Sequence, residues 1–315
     1  MGAAAGKTVL VTTSSFCAQD PLPRRTLAAA GYSVVENPFK RKLTEDEVSG
    51  LLAEHRPVGM IAGVEPLTGR VIEGAAAHLK AISRCGVGLD SVDLSAAARL
   101  GIPVLSTPEA PSPAVAELTI ALALAVLRRV AEADRAVRAG QWKALPGRLL
   151  GARKVGIVGL GRIGSKVAAL AAAFGAEVYG CDRDDVPVPV GVKRVSFEQL
   201  LPLVDVLTLH VPIAPETRHL LDARRLALLP RGAIVINASR GGLVDEEALA
   251  DALRSGALGG AGLDVFEAEP YKGPLKDMPQ VVLTAHMGSA AEECRTRMER
   301  EAADNLVAAL ERRGS

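Results

Sequence analysis

The sequence predicts an α/β protein built from two doubly wound parallel-sheet domains with a cleft between them. Its 315 residues are long for one ordinary domain and natural for two. Short β-branched runs alternate with Ala- and Leu-rich helical stretches throughout, which favours βαβ units and parallel sheets with covered faces. A long apolar helical segment separates the early part of this alternation from the late part, which suggests two series and two sheets.

The first series lies before residue 107. We expect its strands at residues 8–13, 32–36, 58–63 and 79–84. We expect helices at residues 23–31 and 44–55, the second opening with a capping box formed by Thr44 and Glu47.

A single long helix is predicted over residues 112–140, with Gly140 as its stop. Its most apolar window, residues 114–127, is shorter than the roughly 20 residues that a membrane span needs, so we expect a buried helix. Residues 141–152 contain Pro and Gly and predict an extended arm.

The second series follows the arm. We expect a helix at residues 162–175, and the final residues 290–313 predict a helix that folds back onto the first domain. The strands are predicted at residues 154–159, 176–182, 205–211, 232–238, 259–266 and 280–286.

Composition excludes several classes of protein. A hydrophobic content of 49% with 23% charged residues is typical of a globular chain and not of a disordered one. Because 37 Lys and Arg balance 36 Asp and Glu, no nucleic-acid partner is expected. The four cysteines show no CxxC spacing, so neither a metal site nor a disulfide framework is predicted. The N-terminus lacks a secretory signal pattern, and we expect a cytoplasmic protein without a membrane anchor.

A glycine-rich turn carries the sharpest local signal. Gly159, Gly161 and Gly164 form a GxGxxG pattern that follows a predicted strand and opens a predicted helix. Asp182 ends the next strand, 18 residues after Gly164, where an acid binds the ribose hydroxyls of a dinucleotide. Its charge repels a 2′-phosphate, so NAD is predicted over NADP, and we interpret the neighbouring Arg183 as a surface charge.

Three polar side chains stand near the carboxyl ends of later strands, where doubly wound sheets bind ligands. Arg240 has a fork geometry that fits a carboxylate, and His286 exchanges a proton near neutral pH. Glu269 is suited to hold an imidazole and to stabilise its protonated form. Each of these residues alone has an ordinary structural explanation. Because all three occur in a chain that also carries the glycine pattern, they predict an oxidoreductase site.

Seven segments spread over essentially the whole chain carry a family resemblance: RCGVGLDSVD (84–93), AELTIALALAVLRR (116–129), VGIVGLGRIG (155–164), LHVPIAPETRHLL (209–221), INASRGGLVDEEAL (236–249), LDVFEAEP (263–270) and TAHMGSA (284–290). The chain resembles the D-2-hydroxyacid dehydrogenase family, and most of all its phosphoglycerate-dehydrogenase branch. The resemblance implies a flavodoxin-like substrate domain of residues 1–106 plus 288–315 and a Rossmann NAD-binding domain of residues 107–287. It also implies a homodimer built on the long helix and on the arm that carries Trp142.

The family's roles carry over where the residues match. His286 is then the general acid/base, Glu269 its partner, and Arg240 the ligand of the substrate carboxylate and 2-oxo oxygen. The backbone amides expected to bind the carboxylate are those of Gly86, Val87 and Gly88. The remaining cofactor contacts are Gly159, Gly161, Gly164, Arg162, Ile163 and Asp182 for the adenosine and phosphate half, His210, Val211, Pro212 and Thr217 for the pyrophosphate and ribose path, and Ala238, Ser239, Asp264 and Gly288 beside the nicotinamide.

The expected activity is reversible hydride transfer between NADH and a small 2-oxo acid with a D-configured product. A second anionic group on the substrate, as in 3-phosphoglycerate, a phosphonate or a sulfonate, stays open. Arg84 and a neighbouring subunit's Lys143 are candidate contacts for it, and an interpretation of both as surface cations is equally open. Two departures bear on the substrate. Pro111 stands where the branch commonly has Asn, and the sequence stops after the last predicted helix, so we expect no serine-responsive domain.

Two alternatives remain on the same fold. A phosphite-type dehydrogenase keeps Glu at the position of Glu269, whereas a formate-type enzyme has Gln there and is disfavoured. The second alternative is a non-catalytic protein that binds and senses NAD(H).

Overall fold

The computed structural model describes residues 7–314. Its strands are β1 Thr8–Val11, β2 Ser33–Glu36, β3 Gly59–Ala62, β4 Ala81–Arg84, β5 Val104–Ser106, β6 Lys154–Val158, β7 Glu177–Cys181, β8 Val192–Arg194, β9 Val206–Leu209, β10 Ile234–Asn237, β11 Gly260–Leu263 and β12 Val281–Leu283. Its α-helices are α1 Leu22–Ala29, α2 Glu45–His55, α3 Gly69–Ala75, α4 Leu94–Arg99, α5 Pro111–Leu127, α6 Val130–Arg138, α7 Arg162–Ala173, α8 Phe197–Leu200, α9 Ala223–Leu226, α10 Glu246–Arg254 and α11 Glu292–Gly314.

The chain divides into two compact units. The first runs to Pro111 and is completed by the segment from Ser289 onward, and the second is Ser112–Gly288. The sequence places these divisions after residues 106 and 287. In both units short strands alternate with helices, and the central strands, such as β3 in the first unit and β9 and β10 in the second, are fully buried.

The first unit contains a five-stranded sheet in the order β2-β1-β3-β4-β5, with every pair parallel. This is the strand order of flavodoxin-like folds, and it confirms the predicted fold class. The last helix, α11, packs against α1, β3 and β4. A side chain at Gly59 would meet Leu310 of α11 at 2.9 Å, so the helix lies directly on the sheet.

The second unit contains a seven-stranded sheet in the order β12-β11-β10-β9-β6-β7-β8, again with every pair parallel. Counted from β6, the order is that of the Rossmann fold with one further strand, as predicted. The order in which successive strands are added reverses between β6 and β9, which are parallel neighbours. Ligands of such sheets bind in the crevice at the carboxyl ends of the strands where this reversal occurs.

The prediction of one helix over residues 112–140 is wrong. Arg129 adopts φ +53°, which ends α5 and lets α6 start in a new direction. α5 buries small and apolar side chains such as Ala116 and Ala123, whereas α6 buries none. The chain therefore turns where its apolar composition ends. Pro111 is the first residue of α5, a position where its missing N–H costs nothing.

Further features of the described residues bear on function. The capping box of Thr44 and Glu47 forms as predicted. None of the four cysteines, all of which lie within residues 7–314, forms a disulfide. Across the same residues, every helix is too short or too polar to cross a membrane. Nor does this part of the chain bring together three or more His, Cys, Asp or Glu side chains that could hold a metal ion.

Candidate active site

The glycine-rich turn brings two backbone segments together at the reversal point of the second sheet. Gly159 follows β6 with φ +96°, and a Cβ there would lie 2.6 Å from the carbonyl oxygen of His210, the residue after β9. A Cβ at Gly164 would overlap the carbonyl oxygen of Gly159. Neither position accepts a side chain, so the strand, the turn and α7 pack through their backbones.

Gly161 differs from these two glycines because nothing lies within 4 Å of the Cβ it lacks. It precedes α7, whose N-terminus has no side-chain cap. The first N–H groups of a helix carry partial positive charge and bind phosphate when they are left uncapped. The open space beside this helix start therefore fits the pyrophosphate of a dinucleotide.

Asp182, directly after β7, completes the turn. Its Oδ2 accepts a hydrogen bond from the Leu160 amide at 2.6 Å, and its Oδ1 accepts one from the Arg183 amide at 2.7 Å. Each carboxylate oxygen has a further lone pair for a ribose hydroxyl. The Arg183 side chain is 81% exposed and points toward Asp185, 3.5 Å away, as expected of a surface charge. This arrangement fits NAD and opposes a 2′-phosphate.

Hydrogen bonds between polar groups of the protein hold the segment after β9 in place. The Nε2 of His210 lies 3.0 Å from the Thr208 hydroxyl, and burial lowers the pKa of this imidazole to about 4, so it is neutral. The Thr217 hydroxyl donates to the carbonyl oxygen of Pro212 at 2.8 Å. Ser239, after β10, donates to the carbonyl oxygen of Val211 at 2.8 Å. The segments after β9 and β10 are therefore joined along the predicted cofactor path.

His286 and Glu269 form a direct pair. The Nδ1 of His286 lies 3.0 Å from one carboxylate oxygen of Glu269, and the other oxygen accepts a hydrogen bond from the Phe266 amide at 3.2 Å. A carboxylate only accepts, so Nδ1 carries the hydrogen and Nε2 points away from the acid. The imidazole is 50% exposed. Its backbone is left-handed, with φ +50°.

Asp264 holds the segment that carries this imidazole. It is fully buried, and its two oxygens accept hydrogen bonds from the Thr284 hydroxyl at 2.6 Å and from the amides of Met287 and Gly288, both at 2.8 Å. The His286 amide donates to the Asp264 carbonyl at 2.8 Å. The sequence places Asp264 beside the nicotinamide, and its carboxylate is occupied by these bonds.

Arg240 lies on the neighbouring segment, three residues after β10. The buried Asn237 fixes it by donating to the Arg240 carbonyl at 2.8 Å, and the guanidinium donates to the Ser239 carbonyl at 2.7 Å. A Cβ at Gly241 would overlap the carbonyl group of Phe266, so this segment touches the one that bears Glu269. Arg240, Glu269 and His286 thus stand at one edge of the second sheet, after three adjacent strands.

The predicted substrate contacts of the first unit follow β4. The Gly86 amide already donates to the Thr107 hydroxyl at 2.9 Å, so its N–H is not available to a carboxylate. The amides of Val87 and Gly88 donate no hydrogen bond within residues 7–314 and remain as candidates. The Arg84 guanidinium lies where a Gly86 side chain would be, and it donates to the Cys85 carbonyl.

Sequence reasoning did not single out Asn237, Thr284 or Thr107. Each is a polar residue whose partner lies far along the chain or across a turn, and such a residue has no local spacing that marks it. Asn237 is the one with a signal, because it directly precedes the predicted Ala238 and Ser239.

Comparison with known proteins gives a consistent result. Residues 120–288 match the family model for the NAD-binding domain of D-isomer specific 2-hydroxyacid dehydrogenases. The chain is 40% identical over 301 residues to D-3-phosphoglycerate dehydrogenase of Mycobacterium leprae, covering 92% of this chain and 56% of that protein. It is 38% identical over 301 residues to glyoxylate reductase of Korarchaeum cryptofilum, covering 90% of each.

A solved structure agrees with this. The crystal structure of a protein from Thermus thermophilus matches with a TM-score of 0.88 and 41% identity, covering 96% of this chain and 97% of that one. The chain therefore spans only about half of the phosphoglycerate dehydrogenase it matches, but nearly all of the reductase and of the solved structure.

Proposed function

This chain belongs to the D-2-hydroxyacid dehydrogenase family, and its second unit is that family's NAD-binding domain. From this membership we propose, as our own inference, that the chain catalyses reversible hydride transfer between NADH and a small 2-oxo acid, with a D-2-hydroxy acid as the product. The hydrogen-bonded pair of His286 and Glu269, at the sheet edge that also bears the open glycine turn, carries this proposal.

The residues divide the work by their chemistry. When bound, the nicotinamide cofactor supplies the hydride. His286 holds a proton on Nε2 and donates it to the carbonyl oxygen of the substrate as negative charge develops there. Glu269 orients the ring and stabilises its protonated form. Arg240 binds the substrate carboxylate as a planar fork and stabilises the charge on the oxygen.

For the substrate we propose a small 2-oxo acid, and we propose that the site also accepts an acid that carries a second anionic group. The segment after β4 supports this, because the Arg84 guanidinium lies against Gly86 and the amides of Val87 and Gly88 follow directly in the chain, so that one short segment combines a cation with N–H donors. The similarity to both a phosphoglycerate dehydrogenase and a glyoxylate reductase is consistent with small acids of either kind. Lys143 is exposed and stays a candidate contact from a second subunit.

The direct test is NADH oxidation, followed by absorbance, with glyoxylate, pyruvate and 3-phosphohydroxypyruvate. We expect turnover with at least one of them, and a chiral assay should find the D product. Arg84→Ala should raise the KM for the phosphorylated acid by ~10-fold or more and leave that for glyoxylate nearly unchanged. Tight NADH binding without oxidation of any 2-oxo acid would contradict the proposal and favour NAD(H) sensing.

We also propose a homodimer in the cytoplasm. On and after α6, Val130, Val137 and Trp142 are 54%, 51% and 92% exposed, and such apolar exposure on one segment is typical of an interface. Four unpaired thiols support a reducing compartment. Light scattering should give the mass of two chains, and Val137→Asp should shift it to one; a wild-type monomer at micromolar concentration would contradict the dimer.

A further inference from the structure

A second acid–imidazole pair lies two residues from the first. The Glu267 carboxylate bonds Nε2 of His219, and the guanidinium of Arg218 lies 3.5 Å from the same oxygen. Glu267 and Glu269 belong to one short segment after β11. Whatever fixes Glu267 therefore also limits where Glu269 can lie.

Glu246 fixes Glu267 from another element. It is the first residue of α10, it is partly buried, and its Oε1 accepts a hydrogen bond from the Glu267 amide at 2.7 Å. Asp245 caps the same helix by accepting from the Ala248 amide at 3.0 Å, so the position of the Glu246 backbone is itself set. The bond joins a rigid helix end to the segment that bears the partner of His286.

Few other contacts hold the segment from Phe266 to Glu269 in place. Phe266 is held through its carbonyl group, which lies against Gly241, and through its amide, which donates to Glu269. Its ring stacks on Tyr271 with the ring centroids 4.4 Å apart. Between Phe266 and Glu269, the Glu267 amide is the backbone group that an outside side chain anchors.

We propose that Glu246 is a positioning residue that sets the placement of Glu269 against His286 by holding the Glu267 amide. This inference rests on the proposed function, in which His286 and Glu269 move the proton. Glu246 touches neither substrate nor cofactor in this account. It acts through the geometry of the segment from Phe266 to Glu269.

Charge is the competing route by which Glu246 could act. Burial raises its pKa, the carboxylates of Glu267, Glu247 and Glu269 raise it further, and the Glu267 amide lowers it. The charged and titratable groups around it are Asp245 and Glu247 on α10, Glu267, Glu269 and Tyr271 on the segment after β11, and Arg218 and His219 beside Glu267. A test must therefore separate the effect of the length of the Glu246 side chain from the effect of its charge.

Two substitutions make this separation. Glu246→Asp keeps the charge but is one methylene too short to reach the Glu267 amide, whereas Glu246→Gln keeps the reach and the acceptor oxygen but loses the charge. Glu247→Gln is the matched control, since it removes an adjacent, exposed charge that makes no bond to the segment. The readouts are steady-state kinetics and, in the cofactor-free protein, the NMR chemical shift of the proton on His286 Nδ1, which reports on its hydrogen bond to Glu269.

We expect Glu246→Asp to lower kcat by ~10-fold, with the KM for the oxo acid and the Kd for NADH within about twofold. The signal of its His286 Nδ1 proton should move upfield, because the hydrogen bond from that nitrogen to a misplaced Glu269 is longer and weaker. Glu246→Gln and Glu247→Gln should stay within about threefold of wild type in kcat.

Equal kcat losses in the Asp and Gln variants, losses in the Gln variant alone, or a wild-type Nδ1 proton signal in Glu246→Asp would each overturn the proposal. The NMR signal needs no turnover, so it decides the positioning role even if the wild-type protein reduces no 2-oxo acid. Failure of the wild-type protein to reduce any 2-oxo acid would instead contradict the proposed function. Thermal denaturation of each variant shows whether it is folded, and the Gln variant preserves the native bond.

Discussion

In each sheet the strand order reverses beside the first strand, between β1 and β3 and between β6 and β9, yet the crevices at these two points differ. In the second unit, the segments after β6 and β9 meet through the backbones of Gly159 and His210 and leave open space at Gly161. In the first unit, the segments after β1 and β3 meet through the side chains of Thr12 and Glu65, both at most 2% exposed. Glu65 accepts hydrogen bonds from the Thr12 hydroxyl and from the Gly63 amide, the latter at 3.1 Å.

The topology of each sheet creates a crevice, and the side chains that line the crevice decide whether a ligand can bind there. Glycines at the second crevice leave room for a phosphate beside a helix start, whereas a carboxyl fills the first. Each crevice also contains one titratable group whose charged form is disfavoured by desolvation. Desolvation lowers the pKa of His210 to about 4 and raises that of Glu65, so these two groups should make stability depend on pH in opposite directions.

The largest expected effect on stability comes from the glycines of the second crevice. In Gly164→Ala the new methyl group overlaps the Gly159 carbonyl, and we expect a loss of about 3 kcal/mol or more in the free energy of unfolding. Gly161→Ala is the matched control, because its methyl group meets no protein atom within 4 Å. It should keep the wild-type Tm and weaken NADH binding by ~10-fold or more. Wild-type affinity in Gly161→Ala, measured by fluorescence, would place the pyrophosphate elsewhere.

His210 should make the second unit sensitive to acid. Its folded pKa of about 4 lies below the ordinary 6.5, so the neutral ring contributes stability that is complete above pH 6.5 and is lost as the pH falls through about 4. The full loss is roughly 3 kcal/mol. Urea denaturation of wild type and His210→Gln between pH 7 and pH 4 should show a flatter dependence in the variant. A dependence that matches that of the control His55→Gln would contradict this assignment.

Glu65 should have the opposite effect. Its raised pKa means that the protonated carboxyl contributes stability that is complete below the ordinary value of 4.5 and is lost as the pH rises through the folded value. Burial is the main cause of the raised pKa, and hydrogen bonds from Thr12 and Gly63 partly offset it. Glu65→Gln should remove this loss, and hydrogen exchange of the first unit from pH 4 to pH 8 measures it. An unchanged pH dependence in the variant would show that Glu65 is ionised without penalty.

The sequence predicts more of the second crevice than of the first for a physical reason. Gly159, Gly161 and Gly164 lie close together in the sequence, and their spacing reflects positions where the turn leaves no room for a side chain or needs open space for a ligand. Glu65 gives no such signal, because its burial depends on Thr12, 53 residues away. Even so, both sheets and their parallel strands could be predicted from the alternation of residue types, and the capping box of α2 from the spacing of Thr44 and Glu47.

Other features could not be predicted because they arise from tertiary contacts. The turn at Arg129 contains neither Gly nor Pro, and it occurs where burial of α5 ends. Short elements such as α4 and β5, with 6 and 3 residues, are too brief to show a hydrophobic period. The bond from Glu246 to the Glu267 amide spans 21 positions and has no pattern in the sequence.

The most direct test of the central claim, that the second unit supplies both the cofactor site and the proton, is His286→Ala with NADH and an accepted 2-oxo acid. We predict that kcat falls by about 1,000-fold while the Kd for NADH stays within about twofold, because the imidazole donates the proton and does not hold the dinucleotide. His55→Ala, in the first unit, is the control and should match wild type. Near-normal turnover in His286→Ala would contradict the account.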